Sequence, residues 1–253
     1  MNKYETLKEK FEKREKIIGT NIMLINSSPM IEIMAGEDYL DYILFDMEHG
    51  IFNNENIIPL LQTCRLVGMP TFVRVPDHTN FHIARALDLG ADGIMLPRTE
   101  TADQVKAAVE SMRFPPVGHK GKGGYCQVRP GETLNDFNRN RHLLIQIESP
   151  VGIRSLPEML SLFGNEIAAI VIGPYDLSFT LGMPAQFENP IFINAVKEIF
   201  SICHTYEKSV GIFCDTPSHA RKYIGMGANF LWMCTDDQLI KAGMNALIKP
   251  IAY

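Results

Sequence analysis

The feature that most limits what this chain can fold into is an eightfold alternation of short apolar runs with helical segments. The runs fall at residues 17–25, 42–47, 71–75, 93–96, 143–147, 167–172, 210–213 and 230–233. Continuous apolar runs of this length suit strands covered on both faces, as in a parallel sheet. Helix starts fall where the alternation needs them. Thr101-Ala102-Asp103-Gln104 is a capping box, and Ser149-Pro150 and Thr216-Pro217 each set a cap residue before a first-turn proline. Eight such units in 253 residues predict an α/β protein, a single-domain (β/α)8 TIM barrel over residues 1–253. A doubly wound open sheet is the alternative, weakened because no Gly-x-Gly-x-x-Gly follows the first run.

Residues 1–16 predict an extra amphipathic helix, with Tyr4, Leu7 and Phe11 on one face and Glu9/Lys13 and Glu12/Lys16 pairs on the other. That apolar face, and the segment from Leu239 to Tyr253, are expected to pack on the barrel or on a neighbouring subunit. The stretch from Phe114 to Arg141 reads as a long loop. Its Gly118–Gly124 portion lacks the Gly-Lys-Ser/Thr ending of a P-loop, which leaves a lid, an anion nest or a tolerant connection.

Charge narrows the partners. With 24 Lys+Arg against 29 Asp+Glu and no basic run, nucleic acid is not expected. No apolar run nears the roughly 18 residues that span a bilayer, so no membrane partner is expected either. Five widely spaced cysteines without a Cys-x-x-Cys pair read as free thiols in a reducing cytoplasm. Cys214 and Cys234, near strand ends but without a paired base, read as packing residues.

In a barrel the C-terminal strand ends converge on one site. The second run ends in Asp46-Met47-Glu48-His49-Gly50, the third in Arg74-Val75-Pro76, the fifth in Gln146-Ile147-Glu148 and the sixth in Gly173-Pro174-Tyr175-Asp176. Glu148 and Asp176 end consecutive strands roughly 4.8 Å apart, so both can reach one Mg2+ or Mn2+ ion. Equally, each can cap the helix that follows. His49 follows Asp46 by three residues, a pairing that suits a general base. Arg74 either grips an anionic substrate or pairs with Asp46 or Glu48. No lysine falls in or at the end of the second to eighth runs, which argues against a Schiff-base mechanism.

These strand ends, together with Asp88-Leu89-Gly90-Ala91-Asp92-Gly93-Ile94-Met95-Leu96-Pro97 and Pro115-Pro116-Val117-Gly118, resemble the HpcH/HpaI aldolases in order across most of the chain. The resemblance implies a class II pyruvate aldolase on a (β/α)8 barrel, a homo-oligomer acting on pyruvate and an aldehyde or their adduct. It implies Glu148 and Asp176 as ligands of a divalent ion (Mg2+ or Mn2+, with Co2+ an option) and Arg74 as the keto-acid and enolate residue. It also implies Gln146, Tyr175 and Asp176 in the pyruvate shell, and His49 as a base acting through a metal-associated water with Asp46 in support. The chain departs from the family at Gly19-Thr20-Asn21-Ile22, where many members carry tryptophan, and over residues 125–140. Both regions, with Phe213, are expected over the aldehyde. The competing readings are an acyl-CoA lyase using Lys120, Lys122 and Arg129 at the mouth, and a non-catalytic keto-acid binder.

Overall fold

The computed structural model describes residues 3–124 and 126–252; Met1, Asn2, Tyr125 and Tyr253 lie outside the described residues. All eight predicted strands are present: β1 (Ile17–Ile22), β2 (Tyr42–Asp46), β3 (Thr71–Arg74), β4 (Gly93–Leu96), β5 (His142–Gln146), β6 (Ile167–Ile172), β7 (Ser209–Cys214) and β8 (Phe230–Thr235). They close in sequence order into one parallel barrel, β8 pairing with β1. The helices are α1 (Lys3–Lys13), α2 (Ser28–Ala35), α3 (Ile58–Val67), α4 (Asn80–Asp88), α5 (Ala102–Met112), α6 (Leu134–Asn140), α7 (Pro150–Phe163), α8 (Pro174–Thr180), α9 (Pro190–Thr205), α10 (Pro217–Gly225) and α11 (Asp236–Leu247). The sequence-read caps form: Thr101 and Gln104 close the box on α5, and Ser149 and Thr216 accept from the Gly152 and His219 amides.

Two apolar cores share the strands, because successive side chains point to opposite faces. The outer core lies between strands and helices. The inner core fills the barrel with Tyr42, Leu44, Phe72, Met95, Leu144, Val171, Phe230 and Trp232. Helix α1 plugs the N-terminal mouth of this inner core, Leu7 buried and Phe11 against Phe72, His142 and Phe230. Its apolar face is therefore covered by its own barrel. Glu9 pairs with Lys13 at 3.0 Å, but the helix ends at Lys13, so Glu12 and Lys16 are not the expected helical pair.

The stretch read as one long loop contains α6, capped by a Thr133/Asp136 box. It also lies at the opposite end of the barrel from the expected position. It joins a helix to the start of a strand, and such connections run along the N-terminal rim. There Arg129 pairs with Asp92 and stacks on Tyr4, Lys120 is buried on Asp88, and Arg65 holds the Cys126 and Val128 carbonyls. In α11 only Asp236 is buried, while Leu247 at its end is exposed, as is Ile251 just beyond it. No helix among the described residues is long and apolar enough to cross a membrane.

Candidate active site

The inward parity of each strand decides which polar side chain reaches the C-terminal mouth. Along β2 the inward series is Tyr42, Leu44, Asp46; along β3 it is Phe72, Arg74; along β5 it is Leu144, Gln146. Asp46 and Arg74 are direct register partners, and both are buried. The guanidinium grips Asp46 with two parallel bonds, Nε to Oδ1 at 2.9 Å and Nη2 to Oδ2. Its Nη1 lies 3.3 Å from Glu48 Oε2. Burial works against the Arg74 charge, but the Asp46 bonds outweigh it and hold the guanidinium more firmly protonated than usual.

Asp46 serves a second purpose. Its Oδ1 accepts the backbone amides of Glu48 at 3.0 Å and His49 at 3.2 Å, which fixes the turn after β2. The expected Asp46–imidazole pairing is absent: Asp46 holds the His49 backbone, not its ring. The His49 ring is half exposed, with Nε2 3.8 Å from Glu48 Oε1. Parity explains this, since a side chain three positions beyond an inward aspartate cannot share its direction.

Glu148 is 3% exposed. Its Oε1 accepts the Arg98 amide at 2.8 Å and its Oε2 accepts Gln146 Nε2 at 3.1 Å. It therefore does not cap α7, a task that Ser149 performs. A Cβ built on Gly173 would collide with Glu148 Oε2, so glycine there makes room for the carboxylate. Burial, with Asp176 and Glu48 nearby, pushes the Glu148 carboxyl up to about 7. Asp176 stands exposed in the first turn of α8 without a side-chain capping bond. Two mutually repelling carboxylates, one desolvated and neither used as a cap, form a donor set that suits a hard divalent cation with water and substrate oxygens completing its shell. Among the described residues no third His, Cys, Asp or Glu joins them in a closed metal cage.

A cavity of about 420 Å3 brings these groups together, lined by His49, Arg74, Gln146, Tyr175, Asp176 and Phe213. Glu148 touches two of the lining positions, Gln146 and Gly173. Sequence reading missed Trp232, whose ring lies 5.2 Å from the Arg74 guanidinium carbon and edge-on to Phe213. The available signal was the chain's single tryptophan, placed in a strand. Asn21 also lines the cavity, as expected for the first strand, whereas residues 126–140 do not. Lys120 and Arg129 are tied down at the far rim, so they cannot serve a nucleotide at this mouth. Cys214 is buried with its thiol pushed up to about 12 by burial, as suits a packing residue.

The family model described as HpcH/HpaI aldolase/citrate lyase matches residues 23–242. The chain belongs to this family. Among curated relatives, 5-keto-4-deoxy-D-glucarate aldolase of Klebsiella pneumoniae is 29% identical over 214 residues, 83% of either chain. The 2-keto-3-deoxy-L-rhamnonate aldolase of Salmonella typhi is 29% identical over 244 residues, 94% of this chain and 90% of the relative. The crystal structure of an HpcH/HpaI aldolase from Desulfitobacterium hafniense superposes with a TM-score of 0.88 at 25% identity, covering 97% of this chain and 96% of that one. The expected aldolase family and TIM barrel both hold, and the chain is an enzyme of the lyase class.

Proposed function

We propose that this protein is a divalent-metal-dependent aldolase that reversibly cleaves a 4-hydroxy-2-oxo acid to pyruvate and an aldehyde. The observation that carries this reading is the meeting of Glu148, Asp176, Arg74, Gln146 and His49 around one barrel-mouth cavity. Glu148 and Asp176 would hold Mg2+ or Mn2+. Such an ion would supply Lewis-acid polarisation of the substrate's 2-oxo oxygen.

The remaining work falls to this chain's side chains. Arg74 is pre-oriented by Asp46 and Glu48, so its charge meets the developing enolate oxygen without reorganisation. Gln146 orients Glu148 and faces the keto acid. His49 takes the proton of the C4 hydroxyl. The C3–C4 bond then breaks, C4 leaves as the aldehyde, and the bonding pair remains as the pyruvate enolate. Protonation at C3 releases pyruvate, and condensation runs the same path backwards. The apolar surface of α11 supports the homo-oligomer that the family resemblance implies, with Leu247 and Ile251 exposed at its end.

The experiment is proton exchange. Pyruvate is incubated with the protein in heavy water, with Mn2+ or Mg2+ and separately with a chelator, and the methyl signal is followed. Metal-dependent loss of that signal is expected. Its absence with either metal removes the enolate step and the reading with it.

A further inference from the structure

The barrel has a second cavity, at its N-terminal mouth, that the aldolase reading leaves unused. It measures about 400 Å3 and shares no lining residue with the cavity at the C-terminal mouth. Helix α1 lends it Lys8 and Phe11, one turn apart, while His142 comes from the start of β5 and Lys208 from the residue before β7. The Phe11 and His142 rings lie 4.9 Å apart, so the face of α1 that carries Lys8 meets this mouth directly. Buried Arg113 and Arg141 complete the cationic lining.

The two arginines are already engaged. Arg113 donates from Nε to Glu166 at 2.7 Å and from Nη1 to the Arg141 carbonyl at 3.0 Å. Arg141 grips both oxygens of Glu132, at 3.0 and 2.9 Å. Three other groups are free. Lys8 and Lys208 are partly buried, yet neither makes a hydrogen bond or ion pair among the described residues. The His142 ring nitrogens also bond nothing among them, and the residue keeps accessible surface. Burial holds the Lys208 ammonium below its usual pKa with no carboxylate opposing it, unlike Lys3 and Lys120, where carboxylates do. After burial, the influences on His142 are Arg113, Arg141, Lys8 and Arg129, all positive. Glu12 and Glu207 also line the cavity, but both are exposed and neither relieves Lys208. A half-buried ammonium without a counter-ion is costly, and an anion in the cavity removes that cost.

We propose that this cavity is a second binding site, for a phosphate group, held by Lys8, Lys208 and the His142 ring. Lysine ammoniums are point charges with rotatable donors, and a neutral imidazole still offers one N–H. Donors of that kind, reaching in from three separate elements, suit a compact tetrahedral anion. A planar carboxylate favours an arginine fork, and both forks here are occupied. Inorganic phosphate and a small phosphate monoester share this chemistry. Either one ties α1 to the start of β5 and to β7, and so clamps the plug of the inner core.

The test is calorimetric titration of the full-length protein, with Mg2+ present, by inorganic phosphate and separately by glycerol 3-phosphate. Chloride at matched ionic strength is the blank. Saturable binding of at least one of the two is expected. Tighter binding of the free ion marks inorganic phosphate as the ligand, and tighter binding of the ester marks a phosphorylated metabolite. In Lys8→Gln and in Lys208→Gln, Kd should rise about tenfold or more, the worth of one charge-assisted bond. Asp176→Asn, which alters the metal site at the other mouth, should bind as the native protein does. Melting gives a second reading. Without phosphate, Lys208→Gln should melt no lower than the native protein, because it removes an uncompensated charge. With phosphate, it should lose the stabilisation that the native protein gains. Absence of saturable binding overturns the site. So does binding undiminished in either lysine variant, or binding lost in Asp176→Asn, which assigns the phosphate to the catalytic mouth. None of these results bears on the aldolase reading, which the exchange experiment tests by itself.

Discussion

Asp46 and Arg74 face each other across the β2–β3 register with two parallel hydrogen bonds, fully inside the barrel mouth. The pair positions the site's strongest cation and, through the Glu48 and His49 amides, the turn that carries His49. Asp46→Asn removes the counter-charge and one acceptor. Breaking a buried pair costs about 3–5 kcal/mol, and Glu48 partly compensates here, so a loss near the lower figure is expected in denaturant unfolding. Turnover should drop by roughly a hundredfold. Unchanged kcat/KM would remove Arg74 orientation from the mechanism.

Glu148→Gln keeps an oxygen for the Arg98 amide, and Asp176→Asn alters an exposed helix turn. Both variants should fold with nearly native melting temperatures. Both should lose the rise in melting temperature that Mn2+ gives the native protein, since ligand binding stabilises only the folded state. A full Mn2+ effect in either variant would contradict its place in the metal site.

Gly173→Ala tests the space behind Gln146. The backbone there has φ −84°, open to any residue, so the methyl acts only through its collision with Glu148 Oε2. Displacing that carboxylate should weaken Mn2+ binding about tenfold or more and cost about 1–3 kcal/mol of stability. Calorimetric titration and urea unfolding read the two effects separately.

His49→Ala should leave Mn2+ affinity and the fold unaltered, because the ring is half exposed and bonds no carboxylate closely. Cleavage should slow by about 10²–10⁴-fold, the usual contribution of a positioned acid or base. A loss of metal affinity matching the loss of rate would make His49 a ligand instead of a base.

His142, under Phe11 at the N-terminal mouth, is held down to about 3 by burial and by Arg113 and Arg141. The unfolded imidazole takes up a proton near pH 6.5, and the folded one does not until about pH 3. The native state should therefore lose stability as pH falls through that window, by at most about 1.4 kcal/mol per pH unit. In His142→Gln the urea midpoint should fall less between pH 7 and pH 5 than in the native protein. Equal slopes would show that the ring is solvated.

The barrel was legible because strand-length apolar runs and helix caps are local properties, written within ten residues of one another. The strand-end chemistry was legible for the same reason: period two sends Asp46, Arg74 and Gln146 inward once their strands are placed. The position of residues 114–141 was legible too, had the connection been followed from helix to strand, which puts it on the N-terminal rim. Pairing was not local. Asp46 goes to Arg74 and not to the His49 ring because neighbouring strands bring the former within 3 Å, while the pleat sends the latter elsewhere. Asn21 and Trp232 are more than 200 positions apart and line one cavity only because β8 closes onto β1. Sequence alone determined which groups reach the mouth of the barrel; closure of the sheet decided which of them face one another.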